Sequence, residues 1–305
     1  MCLWGNPLQM TKYYALPVTT KYWKPGEKYL NSILDAVEKR VADGDFVVIS
    51  EKAISTALGN VIDESVVSPS FSAKLISRLW MRIVWGYYIG PLCRLGPRLK
   101  RRLREYPLEA GSRHKQIALQ YAGFFQTLLW GSEGGIDGSN LPFSYVSLPL
   151  KKPHEIAKEI REQIWLKLKK KVFVIVVDTD KTYSFRNFHF TSHPKPMQGI
   201  HYLGGITAYI FGRLSKFRKR STPLAVVGGK LQTKEALRIA NIADRARGPG
   251  SGATVWDMAV RFNIVETGVT WEMLSKVKHK PIVLVRKNKN KCCWEKTNEY
   301  ERMNI

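Results

Sequence analysis

Val172-Phe173-Val174-Ile175-Val176-Val177-Asp178-Thr179 is the stretch on which the fold turns. Six consecutive apolar residues, mostly β-branched, are too few for a buried helix and too continuous for a strand with one wet face. They predict a strand covered on both sides, with Asp178 and Thr179 where it ends. A second run of the same kind, Phe46-Val47-Val48-Ile49-Ser50, follows the turn Asp43-Gly44-Asp45. Ahead of it, Leu30, Ile33, Leu34 and Val37 recur at helical spacing. Ahead of Val172, residues 154–168 carry Ile156, Ile160, Ile164 and Leu168 on one stripe and end in lysines, which suit a helix C-terminus. Helices alternating with buried strands imply an α/β (mixed α+β) layered core.

Further out the punctuation continues. Residues 14–19 form a short apolar strand run, and 223–229 a strand ending in a glycine turn. Residues 211–220 read as loop and helix, and 233–246 as a helix with Thr233 as N-cap. Residues 247–252 read as a flexible glycine loop, 256–262 as a helix and 282–285 as a late strand. Between the two buried strands the character changes to aromatics mixed with arginines. The expected organisation is an N-terminal part of the core (1–69), a basic helical insertion (70–130), the rest of the core (131–286) and a basic tail (287–305).

The chain has 305 residues, 44% of them apolar, enough for one large core or two ordinary ones. Its net charge of +24 attracts polyanions: nucleotides, nucleic acid or lipid headgroups. The cations are densest in the run Arg98, Lys100, Arg101, Arg102 and Arg104, which reads as a contact for RNA or another anion. The neighbouring Trp80, Trp85, Tyr87 and Tyr88 are expected to pack inward. Residues 75–95 are the most apolar stretch, but Arg78, Arg82 and Arg94 make a membrane crossing too costly, so no membrane partner is expected. Cys2, Cys93, Cys292 and Cys293 show neither metal spacing nor a disulfide framework, and no signal peptide pattern follows Met1. The chain reads as cytoplasmic and reduced.

Three places offer chemistry. An Asp and a hydroxyl at the end of a buried strand, Asp178-Thr179, can hold a divalent cation and nucleotide phosphates. Gly134-Gly135-Ile136-Asp137-Gly138-Ser139-Asn140 combines close backbone approach with a hard oxygen and two polar side chains. Glu235, in the first turn of the 233–246 helix, can complete a metal site or merely suit the helix dipole. His189 and His193 read as loop or strand histidines without a metal, because Pro194 breaks the helix that their spacing would need. Asp257 reads as a helix cap.

These residues resemble the coenzyme F-420-0:L-glutamate ligases, the gamma-glutamyl ligases of archaea and actinobacteria. The resemblance rests on residues 43–50 with Ala53-Ile54-Ser55 to Gly59, on Gly134 to Asn140, on Val176-Val177-Asp178-Thr179, and on Glu235 to Asn241. They fall in the family's order and mark the chain as a divergent, archaeal-type member. The resemblance implies a two-lobed ligase fold, a homodimer, GTP as co-substrate and two Mg2+ or Mn2+ ions. It implies that Asp137 and Asp178 share one metal, that Thr179 and Glu235 serve the other, and that Trp23, Lys24, Ser50, Glu51, Lys52 and Asn140 contact the nucleotide.

There are departures. A nucleotide-contacting lysine of the family aligns with Thr56, with Lys52 in a position to substitute. Lys181-Thr182 replaces Gly-Arg after the Asp-Thr pair, and the acidic glycine loop becomes the basic stretch 247–252. The expected reaction is activation of a carboxylate as an acyl phosphate, followed by attack of an amino acid amine. The alternative is an RNA- or ribosome-binding protein on a ligase-derived scaffold, with weak or no catalysis, and a ligase acting on an RNA-borne or ribosomal acceptor would unite the two.

Overall fold

The computed structural model describes residues 12–288. The described residues open with β1 (Lys12–Thr20), α1 (Tyr29–Val37), β2 (Phe46–Ser50), α2 (Glu51–Ala57) and β3 (Val61–Asp63). A helical segment follows: α3 (Phe71–Leu75), a π-helix (Ile76–Ile89), α4 (Gly90–Leu92), α5 (Pro97–Arg104), α6 (Leu108–Tyr121) and α7 (Phe124–Thr127). The core then resumes with β4 (Tyr145–Ser147), α8 (Pro153–Leu168), β5 (Phe173–Phe185), β6 (Phe188–Thr191) and β7 (His201–Tyr202). It is completed by α9 (Gly205–Leu214), β8 (Arg218–Val227), α10 (Thr233–Arg247), α11 (Val255–Phe262), α12 (Trp271–Ser275) and β9 (His279–Asn288).

The fold is mixed α/β. Its main sheet runs β1-β9-β2-β5-β6-β7, and β8 pairs with β5 on that strand's other edge. Among the described strands only β2–β5 and β6–β7 are parallel pairs. Period-two alternation sends Val47, Ile49, Val174, Val176 and Leu284 to one face, against α1, α2 and α8. Phe46, Val48, Ile175, Val177 and Val283 face the other way, onto Ile239, Ala240 and Ala243 of α10. Both faces are covered, which is why the two central strands read as continuous apolar runs.

The helical segment has its own core around Met81, Trp85, Leu103 and Leu129. Trp85 is fully buried and Trp80 partly so, whereas Tyr87 and Tyr88 face outward, contrary to the expectation for the tyrosines. Gly86 admits the close approach of α5, since a Cβ there would lie 2.8 Å from Arg104 Cγ. None of the described helices is long and apolar enough to cross a membrane.

The structure corrects the sequence reading at several elements. Asp178 does not end its strand: β5 runs on to Phe185, because β6 and β8 supply antiparallel partners after the parallel ladder with β2 stops at Ser50–Val177. Arg218 to Arg220 belong to β8 rather than to a loop. Gln232, not Thr233, is the N-cap of α10, and no side chain caps it. The late strand reaches Asn288, so the start of the expected tail is sheet. Residues 289–305, with Cys292 and Cys293, lie outside the described residues, as does Cys2.

Candidate active site

The site forms where the parallel ladder ends. Ser50, the last residue of β2, leads directly into α2, so Glu51 enters the interior as the first residue of that helix. One of its oxygens accepts the Leu150 N–H at 2.7 Å. Opposite, β5 is irregular between Asp178 and Lys181 where it pairs with β8. The irregularity turns Asp178 and Asp180 inward and leaves Thr179 exposed. Thr222 closes it from β8, its hydroxyl donating to the Asp180 carbonyl at 2.7 Å.

His193 arrives from the segment after β6. Its Nε2 lies 3.8 Å from Asp178 Oδ2 and 3.9 Å from a Glu51 oxygen. Glu51, Asp178 and His193 can offer three ligand atoms within 4.8 Å of one another. Asp178 Oδ2, Asp180 Oδ2 and His193 Nε2 are buried with no hydrogen-bond partner among the described residues. Burial, with repulsion from Asp178, pushes the Glu51 and Asp180 carboxyls well above the carboxylate range. Burial lowers His193, against the pull of Asp178, and so disfavours the charged ring.

Buried acids with unpaired oxygens fit a divalent cation, whose charge would replace the missing counter-ion. The imidazole is a more conditional ligand. Its Nδ1 accepts the Lys195 N–H at 3.2 Å, which puts the ring proton on Nε2. The carboxylates can take an ion directly; His193 must first give up that contact or flip.

The glycine loop packs over this cluster. Gly135 has φ +97°, and a Cβ there would stand 2.9 Å from Pro149 Cβ and 3.2 Å from His193 Nε2. Asp137 Oδ1 accepts the Ser139 N–H at 2.7 Å, while its Oδ2 pairs with Lys52 Nζ. Lys52 also donates to Ser139 Oγ at 2.7 Å.

Asn140 is occupied with the backbone of the 247–252 loop: its Oδ1 accepts the Ser251 N–H at 2.6 Å and its Nδ2 donates to the Gly252 carbonyl at 3.0 Å. It shapes the pocket and has little left for a ligand. At the foot of that loop, burial would raise Asp244, but Arg247 and Lys181 hold it below its ordinary value.

Two cavities meet here. The smaller, about 360 Å3, is lined by Trp23, Ser50, Lys52, Asn140, Ser251 and His279, among others. Trp23 Nε1 and Ser251 Oγ are buried on its wall without partners among the described residues. The larger, about 1220 Å3, opens between the helical segment and the core, with Tyr106, Trp130, Asp180, Tyr209 and Trp256 on its walls. Asp137, Thr179, Lys181 and Ala253 line both.

The structure therefore brings together most of the residues predicted from sequence. Trp23, Ser50, Lys52 and Asn140 line the smaller cavity, and Asp137 and Thr179 stand at the junction. Glu51 lies in the carboxylate cluster instead of the smaller cavity, and Lys24 lines neither cavity. Glu235 is not in the cluster. Its carboxylate accepts from Tyr13 Oη at 2.5 Å and pairs with Lys287 at 2.8 Å. Tyr13 and Lys287 pair two residues beyond the Phe46 end of β2, whereas Asp178 lies one residue beyond the Ser50 end, so roughly 23 Å of strand separates them.

Glu51 and His193 are the cluster members that sequence reasoning did not place as ligands, whereas Asp180 reads from sequence as an extension of the Asp178-Thr179 pair. The signal for Asp180 was its place two residues from Asp178 on one strand face. His193 gave none, because its approach depends on the β5–β6 turn.

The cationic run is divided. Arg102 points into the larger cavity, 3.4 Å from Asp257 and stacked over Trp256 at 5.3 Å, and Arg104 stacks over Tyr87 at 4.5 Å. Arg98 and Arg101 face outward. Asp257 accepts from Thr254, which is the N-cap of α11.

Uncharacterized protein MJ1361 of Methanocaldococcus jannaschii is 35% identical over 284 residues, spanning 89% of this chain and 96% of that one. The F420-0:Gamma-glutamyl ligase family matches residues 17–246, a span that contains β2, β5, the glycine loop and the carboxylate cluster. The chain belongs to the F420-0:gamma-glutamyl ligase family.

Proposed function

We propose that this protein is a GTP- and divalent-metal-dependent amide ligase of the gamma-glutamyl type, working as a homodimer. One observation carries the reading: a nucleotide-sized cavity and a larger cavity share a wall at Asp137, Thr179 and Lys181, beside a cluster of buried acids. The nucleotide takes the smaller cavity, where Trp23 Nε1 and Ser251 Oγ are free to donate. The acceptor carboxylate comes from the larger one.

A carboxylate oxygen attacks the γ-phosphorus, and the bond from that phosphorus to the β–γ bridging oxygen breaks. Nucleoside diphosphate leaves and an acyl phosphate remains. The amine of an amino acid then attacks the acyl carbon, inorganic phosphate departs, and the nitrogen gives up a proton to leave an amide. Lys52 and Lys181 hold phosphate oxygens at the junction and offset their repulsion of the incoming carboxylate. Asp178, Asp180, Glu51 and Asp137 would hold Mg2+ or Mn2+, which supplies charge neutralisation for the phosphates.

Isothermal titration of GTP in the presence of Mn2+ tests this. Wild type binds, whereas Asp178→Asn and Asp137→Ala each weaken binding about tenfold or more. Absence of GTP binding by wild type with Mn2+ overturns the reading, and ATP in parallel identifies the base preference. Sedimentation velocity reports the dimer.

A further inference from the structure

We propose that the outer face of the helical segment lies on an anionic lipid surface. The inference is independent of the ligase reading. Phe71, Leu75, Leu79, Ile83 and Tyr87 recur every four residues through α3 and the π-helix, and all five side chains are between 44% and 80% exposed. The wider, i to i+5 bonded turn of a π-helix keeps residues four apart on one face. The opposite face, with Ile76, Met81 and Trp85, is the buried one. Apart from Tyr87, over which Arg104 stacks, the stripe belongs to none of the buried clusters among the described residues, and a continuous apolar patch of this kind marks a contact surface.

Charge identifies the partner. Residues 65–104 contain nine Lys and Arg side chains and no Asp or Glu. Lys74 and Arg78 form the row beside the stripe. Arg94, Arg98 and Arg101 are also exposed, and no carboxylate among the described residues pairs with any of these five. Arg104, stacked on Tyr87, joins the cations of α5 to the end of the stripe.

An apolar stripe bordered by cations, with tyrosines at its edge, is the chemistry of a helix lying in the plane of negatively charged headgroups. Two of the arginines that forbid a crossing, Arg78 and Arg94, are exposed for lying flat, whereas Arg82 donates to the Tyr106 carbonyl at 2.8 Å. RNA would use the cations but has no use for Leu75, Leu79 and Ile83, which offer no ring for a base. A second copy of this chain would set two acid-free cationic faces against each other.

Vesicle flotation with the full chain tests the proposal. Wild type floats with vesicles of phosphatidylcholine containing 30 mol% phosphatidylglycerol, on the order of a proportion that gives a strongly negative surface, and does not float with phosphatidylcholine alone. Leu79→Glu with Ile83→Glu, and separately Arg78→Glu with Arg101→Glu, each reduce partition roughly tenfold or more. All four positions are exposed or at the segment's rim, and unchanged thermal unfolding confirms that the variants fold. The proposal is overturned by no flotation of wild type on anionic vesicles; by full retention by the Leu79/Ile83 variant, which reduces the effect to bulk charge; or by a switch from dimer to monomer in that variant, which assigns the stripe to a second copy. Binding of single-stranded RNA more tightly than vesicles, lost on Arg78→Glu with Arg101→Glu but kept on Leu79→Glu with Ile83→Glu, overturns it in favour of nucleic acid.

Discussion

At Gly135 the backbone takes a φ of +97° while Pro149 and His193 close in on the space where a side chain would stand. Gly135→Ala therefore meets two penalties, a left-handed backbone and an overpacked contact. Together they should cost about 2–3 kcal/mol in urea unfolding, and the displaced loop should weaken Mn2+ binding. A variant as stable as wild type would show that the loop does not need this close approach. Glu235 makes the opposite case. Its bonds to Tyr13 and Lys287 lie at the far end of the sheet, so Glu235→Gln should leave the Mn2+ affinity within about twofold and remove roughly 1 kcal/mol of stability. Loss of metal binding in that variant would return Glu235 to the site. Single residues were legible to the extent that their chemistry stood in a local pattern. Asp137 and Asp178 were marked by a glycine loop and a strand. His193 was not, because its partners Glu51 and Asp178 are 142 and 15 residues away in sequence and only folding brings them near.

Among elements, α6 is held to the core by a buried charge network. His114 donates from both ring nitrogens, to Glu64 at 2.5 Å and to Glu133 at 3.0 Å, and Lys115 pairs with Glu133 at 2.5 Å. Burial alone would lower His114, but Glu64 and Glu133 raise it well above its usual 6.5. Burial alone would raise Glu133, but Lys115 and His114 bring it down from 4.5 to about 2. A raised histidine stabilises fully below its unfolded value and fails as pH climbs through its folded one. A lowered carboxyl stabilises above its unfolded value and fails as pH drops through its folded one. The network should thus contribute fully between about pH 4.5 and 6.5. His114→Ala should cost about 2–4 kcal/mol in that window, because it leaves buried acid short of a partner. The gap to wild type in thermal unfolding should narrow toward pH 2 and at alkaline pH; a gap independent of pH would reduce His114 to a packing residue. None of this was visible in sequence, where Glu64, His114 and Glu133 lie in three unremarkable stretches. The strands β2 and β5 were visible, since burial on both faces writes a continuous apolar run. The continuation of β5 past Asp178 was not, because its antiparallel partners permit polar residues.

Across the whole molecule, the smaller cavity is assembled from distant parts of the chain: Tyr22 and Trp23, Ser50 and Lys52, Asp137 to Asn140, Asp244 to Ala253, and Val277 to Pro281. They meet because β2 pairs with both β5 and β9, strands that begin well over a hundred residues later. Sequence could name several of these segments but not their convergence, which depends on strand pairing across the chain. A nucleotide bound in this cavity must therefore tie the parts together. At a GTP concentration about a hundredfold above the dissociation constant, stability should rise by about 2.7 kcal/mol, seen as a concentration-dependent increase in Tm. Hydrogen exchange gives the map. Protection should appear together at residues 22–24, 137–140 and 247–253, since Asn140 couples the last two through Ser251 and Gly252. Residues 71–92, on the far side of the helical segment's core, should exchange at an unchanged rate. Asn140→Ala should uncouple the loop, so that GTP protects 137–140 while 247–253 stays open. Protection confined to one of the three regions in wild type would place the nucleotide elsewhere and break the link between the two cavities on which the reaction depends.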